Sequence, residues 1–280
     1  MTATLKHYLK LARPANIGLV AFVVLITSAL AGDYPPVWRV VLAVIGVVFI
    51  TAGGNALNDI CDIEIDRINK PKRPLPAGLI SVAGARRFMI AMFVLGNLAS
   101  LFLGFWPFVI SLLLVTPLLY WYAKHLRNVA LAGNIVVAFL SSMTFIYAAV
   151  AFGDIRVGYV PAVYCFMISL IREIVKDLED LDGDGANESN TLPVAIGENP
   201  TRVVAGIMIL LFLPFIPLPY VAGIYGKWFF FIGLIGAAIP LIIMMIQLFQ
   251  LRRRINYYQI ASVMKVIMFI GILAIYLGKF

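Results

Sequence analysis

Residues 38–60 read WRVVLAVIGVVFITAGGNALNDI, and between Arg39 and Asp59 no residue is charged. Crossing a hydrocarbon core about 30 Å thick takes about 20 apolar helical residues, so this run predicts a membrane span. Outward from it, runs set off by charge, proline or glycine predict further spans at 15–32, 86–104, 107–124, 131–152, 157–178, 202–222, 228–251 and 257–277. Nine spans use most of 280 residues, so the expected fold is one all-α integral membrane domain, 1–280. Composition agrees, with 62% hydrophobic and 13% charged residues, against about 45–50% and about 25% in a soluble domain. Ahead of the first span, Leu5 to Leu11 carries Lys6 and Lys10 among apolar residues, predicting a helix lying on the membrane surface. The alternative is a signal peptide ending at Ala29-Leu30-Ala31, which would leave eight spans.

The net charge of +8 comes from 22 Lys and Arg against 14 Asp and Glu. In a membrane protein such a balance belongs to cytoplasmic loops, and nucleic-acid binding is excluded. With the N-terminus inside, 17 basic residues fall on the inner side, Arg39, Arg156, Lys227 and Lys279 on the outer, and Lys265 within a span. This asymmetry predicts a cytoplasmic N-terminus in a multi-pass protein of the cell membrane. Cys61 and Cys165 stand far apart, so neither a disulfide framework nor a zinc site is expected.

Acidic residues carry the sharper signal. Eleven of the 14 fall in two short segments: Asp59, Asp62, Glu64 and Asp66, then Glu173, Asp177, Glu179, Asp180, Asp182, Asp184 and Glu188. Carboxylates this concentrated repel one another without a cation. Both segments follow spans that end on the inner side. If the second span runs on as helix, Asn58, Asp62 and Asp66 recur every four residues and share a face; Asp177, Asp180 and Asp184 do the same at i, i+3 and i+7. Asp59, Glu64 and Asp182 then project away from these rows, as supporting or solvated groups. Oxygen-rich, Cys- and His-poor surroundings suit a hard cation, and Mg²⁺ is normally held by one or two carboxylates plus substrate phosphates. Arg67, Lys70, Lys72 and Arg73 follow the first segment, and Arg172 and Lys176 sit within or beside the second, as a metal-bridged diphosphate requires.

Asn58-Asp59-Ile60-Cys61-Asp62-Ile63-Glu64-Ile65-Asp66, followed by Arg67 and Asn69-Lys70-Pro71-Lys72-Arg73-Pro74, resembles the first motif of the UbiA superfamily of intramembrane prenyltransferases. Asp177-Leu178-Glu179-Asp180-Leu181-Asp182-Gly183-Asp184 resembles the second. Arg13-Pro14, Tyr120 with Lys124, and Thr191-Leu192-Pro193 are similar to further family features, so the likeness spans nearly the whole chain. The resemblance implies a nine-helix fold and Mg²⁺ held by Asn58, Asp62, Asp66, Asp177, Asp180 and Asp184. It implies a prenyl diphosphate held by Arg67, Lys70, Arg73, Lys124, Arg172 and Lys176, with Tyr120 lining the reacting centre. Asp62, Asp180, Lys124 and Tyr120 are the residues expected to bear most on the chemistry.

As the allylic carbon becomes cationic the leaving diphosphate gains negative charge, which fixed cations stabilise. Apolar helices would hold the prenyl tail and keep water from capturing the carbon. The stretch from Arg172 to Asp184 is most similar to the lipid-forming branch, implying geranylgeranyl diphosphate as donor and geranylgeranylglyceryl phosphate as acceptor. An aromatic acceptor is the alternative. A CDP-alcohol phosphotransferase would need Asp-Gly-x-x-Ala-Arg where the chain reads Asp182-Gly183-Asp184-Gly185-Ala186-Asn187. A transporter would place its ionisable groups near mid-membrane rather than at one face. His7 and His125 are expected to be interfacial, and Asn16, Asn55, Asn97 and Asn134 to hydrogen-bond between helices.

Overall fold

The computed structural model describes residues 2–32, 34–127, 129–186, 190–251 and 254–279. These form helices α1 (Thr2–Ala12), α2 (Pro14–Leu30), α3 (Val37–Cys61), α4 (Ile63–Asn69), α5 (Val82–Leu103), α6 (Phe105–Leu126), α7 (Ala132–Phe152) and α8 (Arg156–Ala186). Then follow α9 (Leu192–Ile196), α10 (Glu198–Val221), α11 (Lys227–Phe249) and α12 (Tyr257–Gly278). Among the described residues eight helices are long and apolar enough to cross a membrane, and nine if the bent pair α1–α2 counts as one. The expected spans match these helices to within a few residues at each end, except that α8 continues as helix to Ala186, eight residues past the expected end at 178.

The bend between α1 and α2 is 58°. Arg13 makes it in the left-handed backbone region, at φ 57° and ψ 80°, and Pro14 then starts α2. Proline suits that first position because its φ is already helical and its missing N–H would have had no partner there. On α1, Leu11 is fully buried and Tyr8 lies on the Phe88 ring at 5.4 Å, whereas Leu5 and Leu9 stay exposed.

The described chain divides into two compact units. The first takes in the chain through Leu126 and residues 143–159; the second takes in 127–142 and 160–280. In the first, α3 packs on α5 at close range. A carbon added to Gly96 would stand 3.0 Å from the Gly46 carbonyl oxygen and 2.7 Å from the Ile50 side chain, so only glycine allows the helices this near. Below the contact Ser100 and Tyr147 share a hydrogen bond of 2.8 Å. Residues 110–115 of α6 wind as π-helix ahead of Pro117, which has no N–H to give. Asn97 on α5 spans this stretch, accepting from the Ser111 hydroxyl at 2.6 Å and donating to Thr116 Oγ1 at 3.2 Å. Such helix-to-helix bonding is what an asparagine within a span was expected to do.

The second unit is built on Ile171, Ile174 and Val175 of α8, Ile209 of α10, Leu241 of α11 and Met264 of α12, all buried. The spacing of Ile171, Ile174, Val175 and Leu178 gives α8 one apolar face and leaves its charged residues on the other. Arg202 of α10 is 2% exposed, and its guanidinium donates to the carbonyls of Leu248, Gln250 and Leu251 at 3.2, 2.8 and 3.2 Å. These are last-turn carbonyls of α11 and its exit, which lack partners within the helix.

Candidate functional site

The first motif lies where α3 passes into α4. Asp62 joins them at φ −96°, ψ 3°, yet the ladder continues: Asp62 N–H donates to Asn58 O at 2.9 Å, Asp66 N–H to Asp62 O at 2.7 Å, and Lys70 N–H to Asp66 O at 2.8 Å. Asn58, Asp62 and Asp66 therefore follow one another at helical spacing. Asn58 is half-buried, and Asp62 and Asp66 are buried.

Charge compensation around them is specific. Arg73 Nη1 donates to Asp66 Oδ2 at 2.5 Å and approaches Asp59 Oδ1 at 3.3 Å. Arg13 donates to the same Asp59 oxygen. Asp59, expected to point away as a supporting or solvated group, is 2% exposed. It is a buried counter-charge rather than a solvated one. Arg67 takes a different place: exposed, it donates to both oxygens of exposed Glu64 at 3.0 and 2.8 Å. Lys70 is exposed at the end of α4.

The loop carrying Arg73 is anchored. Leu75 and Ile80 are buried with Leu11, Ala56 and Ala85, and Leu79 N–H donates to Pro74 O at 2.9 Å. Pro71, Pro74 and Pro76 narrow the backbone freedom between them. In the same unit, Lys124 lies in a second π-helical stretch, 122–126, with Nζ 4.7 Å from the centre of the Tyr120 ring.

The second motif occupies the charged face of α8. Asp177 accepts from the buried Asn134 of α7 at 2.8 Å. Lys176 donates to Asp180 at 2.9 Å across one helical turn, and Arg172 to Glu173 at 2.5 Å. Arg172 Nε is buried with no hydrogen-bond partner among the described residues. The side chains of Asp182 and Asp184 lie outside the described residues, as does Glu188. Beside Glu179 an open groove of about 530 Å³ is lined by Arg254, Asn256, Tyr257 and Tyr258. Tyr257 donates to Glu198 at 2.5 Å.

Among the described residues no three His, Cys, Asp or Glu side chains gather into a group able to hold a metal ion. The donor set nevertheless fits Mg²⁺, which takes oxygen ligands and needs only one or two carboxylates when phosphates complete its shell. Asn58, Asp62 and Asp66 offer oxygen alone.

The UbiA prenyltransferase family profile matches residues 19–273. The chain belongs to the UbiA prenyltransferase family. Among curated relatives, digeranylgeranylglyceryl phosphate synthase of Sulfolobus acidocaldarius is 37% identical over 246 residues, covering 87% of this chain and 88% of that protein. The enzyme of the same name from Methanothermobacter thermautotrophicus is 33% identical over 234 residues, covering 83% and 82%. A solved digeranylgeranylglyceryl phosphate synthase structure superposes with a TM-score of 0.78 at 32% identity, over 99% of this chain and 98% of that one. A UbiA homologue from Archaeoglobus fulgidus, solved with GPP and Mg²⁺, matches in fold with a TM-score of 0.69 at 16% identity, over 98% and 99%. As a UbiA protein, the chain is a multi-pass membrane prenyltransferase.

Within this UbiA chain, reading the sequence missed the Arg13–Asp59–Arg73 arrangement. Its one signal was Arg13-Pro14, 46 residues ahead of Asp59. The two arginines of the first motif differ in environment, and stability should report it. Arg67→Ala should shift thermal unfolding in detergent little, because an exposed pair contributes about 0–1 kcal/mol. Arg73→Ala leaves buried Asp66 without its cation and should cost about 3–5 kcal/mol. Equal shifts for the two variants would remove the distinction.

Proposed function

We propose that this chain transfers a geranylgeranyl group from its diphosphate to the free hydroxyl of geranylgeranylglyceryl phosphate, forming the second ether bond of an archaeal-type lipid. The observation that carries this reading is the similarity to digeranylgeranylglyceryl phosphate synthases along most of the chain's length. Asn58, Asp62 and Asp66 in the first motif and Asp177, Asp180 and Asp184 in the second would hold Mg²⁺. The chemistry a bound Mg²⁺ supplies is neutralisation of the diphosphate oxygens.

The chain's own cations do related work. Arg67, Lys70, Arg73, Lys124, Arg172 and Lys176 are the residues that would bind diphosphate oxygens. Because negative charge grows on those oxygens as the allylic C–O bond breaks, fixed cations favour the transition state over the bound substrate. Tyr120, whose ring already accepts the Lys124 ammonium, lines the reacting carbon, where its π face suits developing positive charge. The acceptor hydroxyl oxygen bonds to that carbon as the bond to diphosphate breaks, and diphosphate leaves with that electron pair and takes up the hydroxyl proton. Apolar spans hold both prenyl chains and exclude water, and a lipid acceptor enters sideways from the bilayer. The 17-to-4 division of basic residues supports a cytoplasmic N-terminus and a site on that face.

Asp62→Asn and Asp180→Asn each remove one ligand charge, and each should bring turnover of the folded protein below about a tenth of wild type. Retention of more by both variants would end the metal assignment. For the acceptor, purified protein with Mg²⁺ and labelled geranylgeranyl diphosphate should prenylate geranylgeranylglyceryl phosphate and leave 4-hydroxybenzoate untouched. The reverse result would leave only the family standing. Cys61 is exposed at the end of α3. In a Cys165→Ser protein, a membrane-impermeant maleimide should therefore label it in inside-out vesicles and not in right-side-out ones; the opposite pattern would invert the topology.

A further inference from the structure

Arg73 serves two carboxylates with one nitrogen, holding Asp66 at 2.5 Å while standing 3.3 Å from Asp59. Asp59 is fixed from its other side. Arg13 donates to it from a backbone that is itself tied down, since Arg13 N–H donates to Lys10 O at 3.1 Å and Asn55 of α3 donates to Ala12 O at 2.9 Å. Asp59 thus cannot turn toward Asp62 without abandoning Arg13, which is partly buried beside it. Arg73 is carried by a loop, and its guanidinium already reaches both carboxylates.

A divalent cation held by Asp62 and Asp66 places two positive charges on the carboxylate that Arg73 now occupies. Like charges at that range repel strongly in a buried setting, so cation and guanidinium compete for Asp66. We propose that Asp59 is a positioning residue: a buried counter-charge that receives Arg73 as the cation loads, so the guanidinium is kept beside the motif instead of being expelled without a partner. Arg13 holds Asp59 in place for this exchange. The proposal rests on the reading of Asn58, Asp62 and Asp66 as cation ligands.

Mn²⁺ in place of Mg²⁺ allows binding to be followed by electron paramagnetic resonance, on the purified full-length chain in detergent without substrate. Removing the receiving charge in Asp59→Asn should weaken Mn²⁺ binding about tenfold, the scale of one charge-assisted hydrogen bond. Removing the competitor in Arg73→Gln should tighten it by about the same factor. The double variant should bind within about threefold of Arg73→Gln alone, because Asp59 matters only while Arg73 needs a place to go.

A merely structural Asp59 would lower stability without this dependence on residue 73. Unchanged binding in Asp59→Asn, or a double variant as weak as Asp59→Asn, overturns the proposal. If Asp59→Asn does not fold, Arg73→Gln decides alone, tighter binding supporting the exchange and weaker or equal binding overturning it. Asp62→Asn separates the two readings: Mn²⁺ binding that survives it overturns the ligand assignment, and the exchange with it.

Discussion

Burial of ionised carboxylates beside a membrane is costly unless each meets an opposite charge, and the first unit is arranged around that requirement. Asp59 and Asp66 are both nearly inaccessible. Their neutralisation draws in Arg13 from the α1–α2 junction and Arg73 from the proline-rich loop, so two separate segments converge on the end of α3. The buried Leu75 and Ile80 and the bond from Asn55 to Ala12 are what keep those arginines in reach. Packing here serves charge placement.

The second motif meets the same requirement by other means. Lys176 and Asp180 pair along α8 itself, half-exposed, where such pairs are modest in strength. Asp177 is held by a neutral amide, that of Asn134. The first motif draws its arginines from other segments, whereas the partners described for the second lie on α8 itself and on α7.

Much of this was legible in the sequence because it depends on short-range pattern. The apolar runs placed the helices, since hydropathy over about 20 residues is what membrane insertion reads. The four-residue recurrence of Asn58, Asp62 and Asp66 was legible because the helical ladder continues through Asp62. Asp59 was not: a helical wheel shows it pointing away from its neighbours but cannot show an arginine from another segment waiting there. Arg202 was similarly hidden, counted as one more basic residue at a helix end, whereas its guanidinium donates to carbonyls at and just past the end of α11. Both depend on contacts between segments more than 40 residues apart, which local pattern does not encode.

Arg13 sits at φ 57°, a backbone setting that glycine adopts freely and a side-chain-bearing residue adopts at a cost of about 1–2 kcal/mol. Routine thermostabilisation would choose this position early, replacing arginine with glycine to relieve the strain. In this protein that exchange would relax the main chain and strip Asp59 of the cation that pins it. Position 13 is thus a place where a rule that reads backbone strain alone misjudges the residue, because the ion pair lost to a buried carboxylate outweighs the strain relieved.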